Sequence, residues 1–413
     1  LNTNLFIAKT LWSGGAKKHP GGRNSFIAGI SVAVSMIVMI VAIAVSDGFK
    51  TEIREKAAGF SGTIILSAPG IEVVNSKYPV DGNLSYRNKI SSLEGVTGVQ
   101  NYAYSSGIMK FGDEIQGIVL KGVDETYNWD FFKKSLREGS IPDYADSLSG
   151  KSILISSRLS SMLGIECGEK VQVYFVGESV KARAYMVAGI YDAQLEEIDK
   201  ALVVANIDEV TRLNGWMPGE VSGIEIMTED FGNTRVLAAQ IETIIEENQN
   251  DEESDIAVTT VEELYPHLFD WLTLLDFNVL IVLILMVIVA GFNMISGLLI
   301  ILFEKISMIG LLKSLGMRDA SIHRIFLYRA MMIVLRGIAA GNIIALVLLW
   351  LQHQYGFITL DPANYFVTQV PVHIDWLKLA ILNIASAVMI TLILYIPSVF
   401  IAGVEPDKSL RVQ

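Results

Sequence analysis

One cysteine, Cys167, occurs in 413 residues. A lone thiol excludes an internal disulfide, and no second cysteine gives it a metal-site spacing. We read it as a small buried apolar residue. The five histidines, at positions 19, 267, 323, 353 and 373, are too dispersed to form a ligand pair. There is no G-x-x-x-x-G-K-S/T phosphate loop, no G-x-S-x-G nucleophile elbow and no H-E-x-x-H zinc motif. The carboxylates are numerous but form no pair assignable to one site. These absences describe a non-catalytic chain, whose work must be driven from outside. Internal repeats and low-complexity tracts are also missing. Charge is sparse, 18% of residues against 51% hydrophobic. That balance is too apolar for an ordinary soluble protein and too charged for one embedded throughout in lipid.

What is present is concentrated in four apolar runs, 26–45, 277–303, 330–351 and 376–400. Each is long enough to cross a bilayer, which takes about 20 residues. Between the first two lie more than two hundred residues of soluble composition, enough for one or two domains with their own cores. Residues 47–270 carry 37 Asp and Glu against 19 Lys and Arg, and the remainder carries 7 against 13. An acidic domain excludes nucleic acid as a partner, because phosphate binding needs a basic face. Strand-like runs fall at 63–67, 115–121, 152–156, 170–176, 182–190, 201–205, 221–227 and 256–260. Helical patterns fall at 85–93, 157–163, 207–213 and 234–247. The fold class is therefore a multi-pass α-helical membrane protein of four transmembrane helices. A large α+β extracytoplasmic domain is inserted between the first and second.

The basic residues give the topology. Lys9, Lys17, Lys18 and Arg23 precede the first span, and Lys305, Lys313, Arg318, Arg324 and Arg329 follow the second. Both places are read as cytoplasmic, as is the tail with Lys408 and Arg411. The loop 352–375 has no Lys or Arg and is read as outer. The segments are then an interfacial amphipathic helix, 1–25, rather than a cleavable signal peptide; span one, 26–46; and the domain, 47–270. That domain has two subdomains, the membrane-proximal one built from both of its ends. Span two, 271–303, a charged connecting helix, 304–324, and span three, 325–351, follow. The outer loop, 352–375, span four, 376–402, and the tail, 403–413, complete the chain. Gly29, Ser31, Ala33 and Ser35 are small enough to let another helix approach span one. Asn293 is expected to face a neighbouring helix, and Arg336, on the face of Arg329, to snorkel toward headgroups. For Met36, Met39 and Ile40 two readings stand open, facing lipid or lining a greasy cavity.

The most specific stretch is 289–330. It holds Asn293 and Ser296, then Glu304-Lys305, then Ile309, Leu312, Lys313, Leu315 and Gly316, then Ile322, Ile325 and Phe326. With Phe6-Ile7-Ala8-Lys9, Gly29-Ile30-Ser31-Val32, Asp47-Gly48-Phe49, Tyr365-Phe366, Val370-Pro371-Val372, Pro397, Pro406 and Leu410-Arg411, this pattern resembles the FtsX-like permeases of ABC transporters. Within them it is most similar to the LolC/LolE lipoprotein-releasing permeases. The resemblance implies a permease dimer, homo- or heteromeric, working with a separate LolD-like ATPase that binds the ATP and magnesium. This chain itself would hold no cofactor or metal. The implied coupling helix that docks on the ATPase comprises Glu304, Lys305, Met308, Ile309, Leu312, Lys313, Leu315 and Gly316. Met36, Met39 and Ile40, with Phe277 and Leu280, are the candidates for a cavity holding lipid or lipoprotein substrate.

The implied activity is release of lipoproteins from the bacterial inner membrane to a LolA-like periplasmic chaperone, by mechanical transmission of ATP hydrolysis. Both termini would be cytoplasmic and the large MacB/LolC-like domain periplasmic. One departure is visible: the hairpin expected to grip the chaperone, 171–190, has only Gly177-Glu178-Ser179 as its turn. Two alternatives are an efflux permease for peptides or toxins like MacB, and a signalling scaffold like FtsX that regulates a cell-wall hydrolase.

Overall fold

The computed structural model describes residues 20–70, 78–146, 150–176, 180–248 and 255–399. Most of the expected interfacial helix, the tail 403–413 and the turn 177–179 lie outside the described residues. The chain divides into two units. One is formed by the described parts of Leu1–Lys50, Leu272–Thr359 and Gln369–Gln413, the other by those of Thr51–Trp271 and Leu360–Thr368. The nine residues Leu360–Thr368 come from the expected outer loop but belong to the second unit.

The first unit is helical. Its elements are α1 (Pro20–Ser61), α2 (Pro266–Glu304), α3 (Ile306–Ser314), α4 (Asp319–Tyr355) and α5 (Trp376–Val399). All but α3 contain a stretch long and apolar enough to cross a membrane. Segment 304–324, expected as one helix, is two: α3, then the first turns of α4. Gly316 is the cause. Its φ of +85° is a left-handed conformation that ends a helix.

The packing of α1 on α4 rests on missing side chains. Gly337 and Gly341 form a G-x-x-x-G pair on α4. A Cβ on Gly337 would lie 2.8 Å from the carbonyl oxygen of Gly29, and one on Gly341 would lie 2.8 Å from that of Ala33. The two backbones thus touch, the small-residue mode of association in lipid. Polar groups are paired between helices. Asn342 and Asn383 exchange amide hydrogen bonds of 2.6 and 3.1 Å, and each also donates to the carbonyl four residues earlier. The Asn293 amide donates to Ser31 Oγ at 2.6 Å, joining α2 to α1.

The second unit is built on a ten-stranded sheet. Its strands are β1 (Ile64–Ser67), β2 (Val80–Asp81), β3 (Val96–Phe111), β4 (Glu114–Val123), β5 (Leu136–Gly139) and β6 (Ser152–Ser156). Then come β7 (Lys170–Val176), β8 (Val180–Tyr191), β9 (Leu202–Asn206), β10 (Glu220–Val221), β11 (Gly223–Thr228) and β12 (Ala257–Thr260). The order is β12-β1-β11-β3-β4-β9-β6-β8-β5, with β7 pairing both β3 and β8; β2 and β10 form a separate ribbon. The 16-residue β3 is the spine. Its first half pairs β11, its second half pairs β4 and, on the opposite edge, β7. One core uses both ends of the insertion: Ile64, Leu66, Ile224 and Ile226 under Leu237 and Ile241 of the helix Thr234–Asn248. Another uses its middle: Leu120, Ile153, Val173, Val187 and Val203. A capping box, Thr260 with Glu263, closes β12 and starts the run of helix toward α2.

A third core, with Phe60, Tyr102, Tyr127 and Phe132, encloses a buried ion pair. Lys121 on β4 and Glu225 on β11 are 2.6 Å apart and are 0% and 1% exposed. Glu225 also accepts from Gln100 on β3 at 3.0 Å, and the Lys121 ammonium donates to the carbonyl of Phe60 at the end of α1. Burial lowers the Lys121 pKa, and Glu225 opposes that shift. A second polar knot holds Leu360–Thr368: Lys56 donates to the carbonyl of Phe366 and to Gln194 Oε1, both at 2.9 Å. Asp199 lies nearby, 4% exposed, with Oδ1 unbonded among the described residues. Burial, then Asp192, pushes its carboxyl up to about 7. Cys167, expected to be buried, is only half-buried, its Sγ 3.4 Å from the carbonyl oxygen of Ala188.

Two outcomes are expected. Lys121→Met leaves Glu225 buried and unpaired and costs about 3–5 kcal/mol, while Lys121→Met/Glu225→Leu recovers most of that loss. Urea titration of the full chain followed by near-UV dichroism measures both. The Asp199 carboxyl holds its proton in the folded chain to about pH 7, against about 4 when unfolded. The folded state binds more protons in that window, so this group's stabilising contribution falls as pH rises through it. In Asp199→Asn the slope of melting temperature between pH 4 and pH 7, relative to the parent, loses that component.

Candidate functional site

The turn between α2 and α4 is where the chain presents a short helix of its own. Lys305 ends α2, its N–H bonded to the carbonyls of Ile301 and Leu302, and α3 then runs for nine residues. A Schellman cap closes α3. Gly316 N–H donates to the Lys313 carbonyl at 2.9 Å, and Met317 N–H to that of Leu312 at 3.1 Å. A Cβ on Gly316 would meet nothing within 4 Å, so glycine serves the backbone angle and not the space. The Lys313 ammonium meets Asp319 Oδ1 at 2.9 Å, fixing the last turn of α3 to the first turn of α4.

The predicted coupling residues fall on two faces. Ile309 is fully buried in the bundle core, with Leu312 packed on it, and Met308 and Lys313 are half-buried. Glu304, Leu315 and Gly316 are exposed. The outward apolar face is Leu311 and Leu315, 55% and 76% exposed, extended by Phe303 at 67%. Leu311 and Phe303 were missed in the sequence. Leu311 was hidden because a nine-residue helix rich in Ile, Leu and Met shows no clear polar stripe.

The candidates for a substrate cavity are not brought together. Met36 and Met39 are 0% exposed and Ile40 is 3% exposed, inside the core formed by α1 and its neighbours. Met36 faces Gly341, and Ile40 borders only a void of about 10 Å³. Neither the lipid-facing nor the cavity-lining position is occupied by these three. Phe277 and Leu280, 61% and 52% exposed, lie on α2, whose apolar window is only 6% buried against 39% in α1 and α4. Among the described residues, α2 thus has the least buried apolar stretch of the four long helices.

The other end of the bundle joins two stretches that the sequence kept apart. Gly48 lies so close to the backbone of Pro371 that no Cβ fits between them, and His373 N–H donates to the Ala44 carbonyl at 3.0 Å. Asp47 Oδ1 accepts from Lys378 at 2.7 Å, and Lys50 pairs with Asp276. Asp47-Gly48 and Val370-Pro371-Val372 are thus two sides of one contact. Among the described residues no group of His, Cys, Asp or Glu is placed to hold a metal ion.

The family model for the FtsX-like permease C-terminal region matches residues 280–406. The lipoprotein-releasing system transmembrane protein LolC of Xylella fastidiosa is 23% identical over 94% of this chain and 95% of its own length. LolC of Neisseria meningitidis serogroup B is 24% identical over 96% of each. LolE of Haemophilus influenzae is 17% identical over 99% of each. Among solved structures, the extracellular domain of the YknZ transporter from Gram-positive bacteria is similar at 18% identity and a TM-score of 0.34, covering 48% of this chain and 100% of that one. The periplasmic region of MacB from Actinobacillus actinomycetemcomitans is similar at 15% identity and 0.34, covering 50% and 91%. The C-terminal helices of this chain thus match the FtsX-like permease model, and its alignments with LolC and LolE relatives run nearly from end to end.

Proposed function

We propose that this chain is the permease subunit of an ABC transporter that extracts lipoproteins from the inner membrane and passes them to a periplasmic chaperone. The observation that carries this reading is the extent of the likeness. It runs through all the apolar helices and the inserted domain, over 94% and 96% of the chain for the two LolC relatives. ATP and magnesium belong to a separate LolD-like ATPase. The short helix α3 is its docking element, with Leu311 and Leu315 meeting the ATPase while Ile309 and the Lys313–Asp319 pair hold α3 in place. The basic residues flanking α3 support a cytoplasmic position for that turn and, with four spans, for both termini.

The bare face of α2, with Phe277 and Leu280, supplies apolar surface for a second permease copy and for the acyl chains of the cargo. The hairpin of β7 and β8 carries exposed Val176 and Val180 at its last described pair, a small apolar tip for a LolA-like chaperone or a partner permease.

Two experiments test the reading. Depleting the chain is expected to leave outer-membrane lipoproteins in the inner membrane, followed by fractionation; normal sorting sinks the assignment. Leu311→Arg with Leu315→Arg is expected to abolish co-purification of the ATPase with no loss of membrane insertion. Gly316→Asn, which tolerates the left-handed angle, keeps the ATPase, and Gly316→Val loses it. Retention of the ATPase by the double arginine variant refutes docking through α3.

A further inference from the structure

The nine residues Leu360–Thr368 form a loop with two unlike attachments. Its neck is fixed to the end of α4. Thr359 pairs with Gln369, and Val370 N–H donates to the Ile358 carbonyl at 3.1 Å. The buried Gln352 amide donates to the carbonyls of Ile358 and Val370 at 3.3 and 3.2 Å, and its Oε1 accepts from Ile358 N–H at 3.1 Å. Leu360 N–H then closes the loop on the Thr368 carbonyl at 2.8 Å, and Phe366 N–H bonds back to the Pro362 carbonyl at 2.9 Å. The loop is thus shaped by its own hydrogen bonds, whatever its tip touches.

The tip is held in another way. Phe366 packs on the core of Phe60 and Tyr127, its ring edge-on to Trp271 at 6.0 Å, and Val367 is buried. The polar grip comes from Lys56, whose ammonium joins the Phe366 carbonyl to Gln194 Oε1; the Gln194 amide adds a long contact of 3.5 Å to Thr368. Gln194 and Phe366 are the two non-glycine residues with positive φ among the described residues, at +65° and +61°. A side chain makes that conformation unfavourable, and it persists only where surrounding contacts hold it. Here one ammonium holds both. Seating the loop therefore works against backbone strain at two residues and against desolvation of a cation. A contact so opposed opens more readily than a sheet does. The loop also walls a cavity of about 280 Å³, to which it contributes Asp361, Pro362 and Thr368, facing a lining that includes Asp192, Gln194 and Asp199.

We propose that Leu360–Thr368 is a lid on this cavity, seated by Lys56 and Phe366, that lifts as one body about its neck while the sheet stays folded. Lifting relaxes Gln194 and Phe366, hydrates Lys56 and opens the cavity to solvent. The inference rests on these contacts and on neither the cargo nor the ATPase.

Thiol labelling under native conditions tests it, on the full chain in a non-ionic detergent and a Cys167→Ser background. Val367→Cys reports the lid, because nine residues cannot bury a valine by themselves. Val203→Cys, in the sheet core on β9, reports unfolding of the sheet, and Asn364→Cys, at an exposed position, gives the free rate. A water-soluble maleimide is expected to react with Val367→Cys more slowly than with Asn364→Cys and faster than with Val203→Cys. Lys56→Met, which removes both charge-assisted bonds, should speed the reaction at Val367→Cys about tenfold or more and leave Val203→Cys unchanged. Phe366→Ala keeps the carbonyl and removes the ring; it should speed the reaction too, and it keeps the question open to measurement if Lys56→Met does not fold. Val367→Cys reacting as slowly as Val203→Cys makes the loop a fixed part of the core and overturns the proposal. Reaction at the free rate with Lys56 and Phe366 intact overturns it as well, since nothing is then seated. So does a rate that neither variant changes, or one that both variants raise equally at Val203→Cys. Lipoprotein sorting and ATPase association are not readouts here, so failure of the lid and failure of the transport assignment are separately visible.

Discussion

Lys121 and Glu225 lie 2.6 Å apart with essentially no exposure, and neither is tolerable there as a charge without the other. The pair draws together β4, β11 and, through Gln100, β3, while the Phe60 carbonyl brings in the end of α1. Such a pair adds little net stability over well-packed apolar residues. What it adds is a penalty for any other arrangement, since a shifted register would strand a charge. The sheet needs that restriction at this point. β3 changes partners along one edge from β11 to β7, and an apolar seam alone would accept a slip. Tyr102 and Tyr127, with rings 5.9 and 5.3 Å from the ammonium, close the pocket with their π faces.

The bundle meets a different constraint with different means. Apolar side chains gain nothing from leaving lipid for one another, so contact must come from shape and from polar pairs. Shape is supplied where Gly337 and Gly341 admit the backbone of α1. Polar pairing is supplied by Asn342 with Asn383 and by Asn293 with Ser31. α4 takes part in both kinds of contact, and α2 packs chiefly along its last turns, where Ala290, Met294, Leu298 and Ile301 are buried and Gly297 meets Ala28. The helix with least packing is thus also the one with most apolar surface to offer.

Elements with a plain local pattern were legible in the sequence. β6 and β7 agree with the expected strands to the residue, and so does the helix Ser157–Leu163. β3 was invisible because Gly98, Ser105, Ser106 and Gly107 break its alternation; its stability comes from neighbours on both edges, distant in the chain. The G-x-x-x-G pair on α4 was overlooked beside the small residues of α1 that it packs against. The stretch 289–330 carried the family likeness correctly, but which of its residues face outward depends on the bundle beneath. Ile309 and Leu311 are equally apolar, and only tertiary packing separates an anchor from a contact surface. Met36 and Met39 were read as facing lipid or lining a cavity; Met36 instead packs against Gly341, and Met39 is buried in the same core.

The order of the sheet also governs how the domain comes into being. β1 pairs only with β11 and β12, so Ile64 waits for Ile226 and Thr260. A nascent chain moving from N- to C-terminus completes the β3–β4 hairpin early and can collapse its middle core on residues up to Asn214. Throughout that time Ile64-Ile65-Leu66 has two bare edges and a strongly apolar surface, the form of strand most prone to pair with the wrong neighbour. Vectorial synthesis therefore finishes last the part of the sheet built from both ends of the insertion. The apolar helix α2 begins at Pro266, only six residues after the final strand, so closure of the sheet and entry of the second span into the bilayer are adjacent events in the life of the chain.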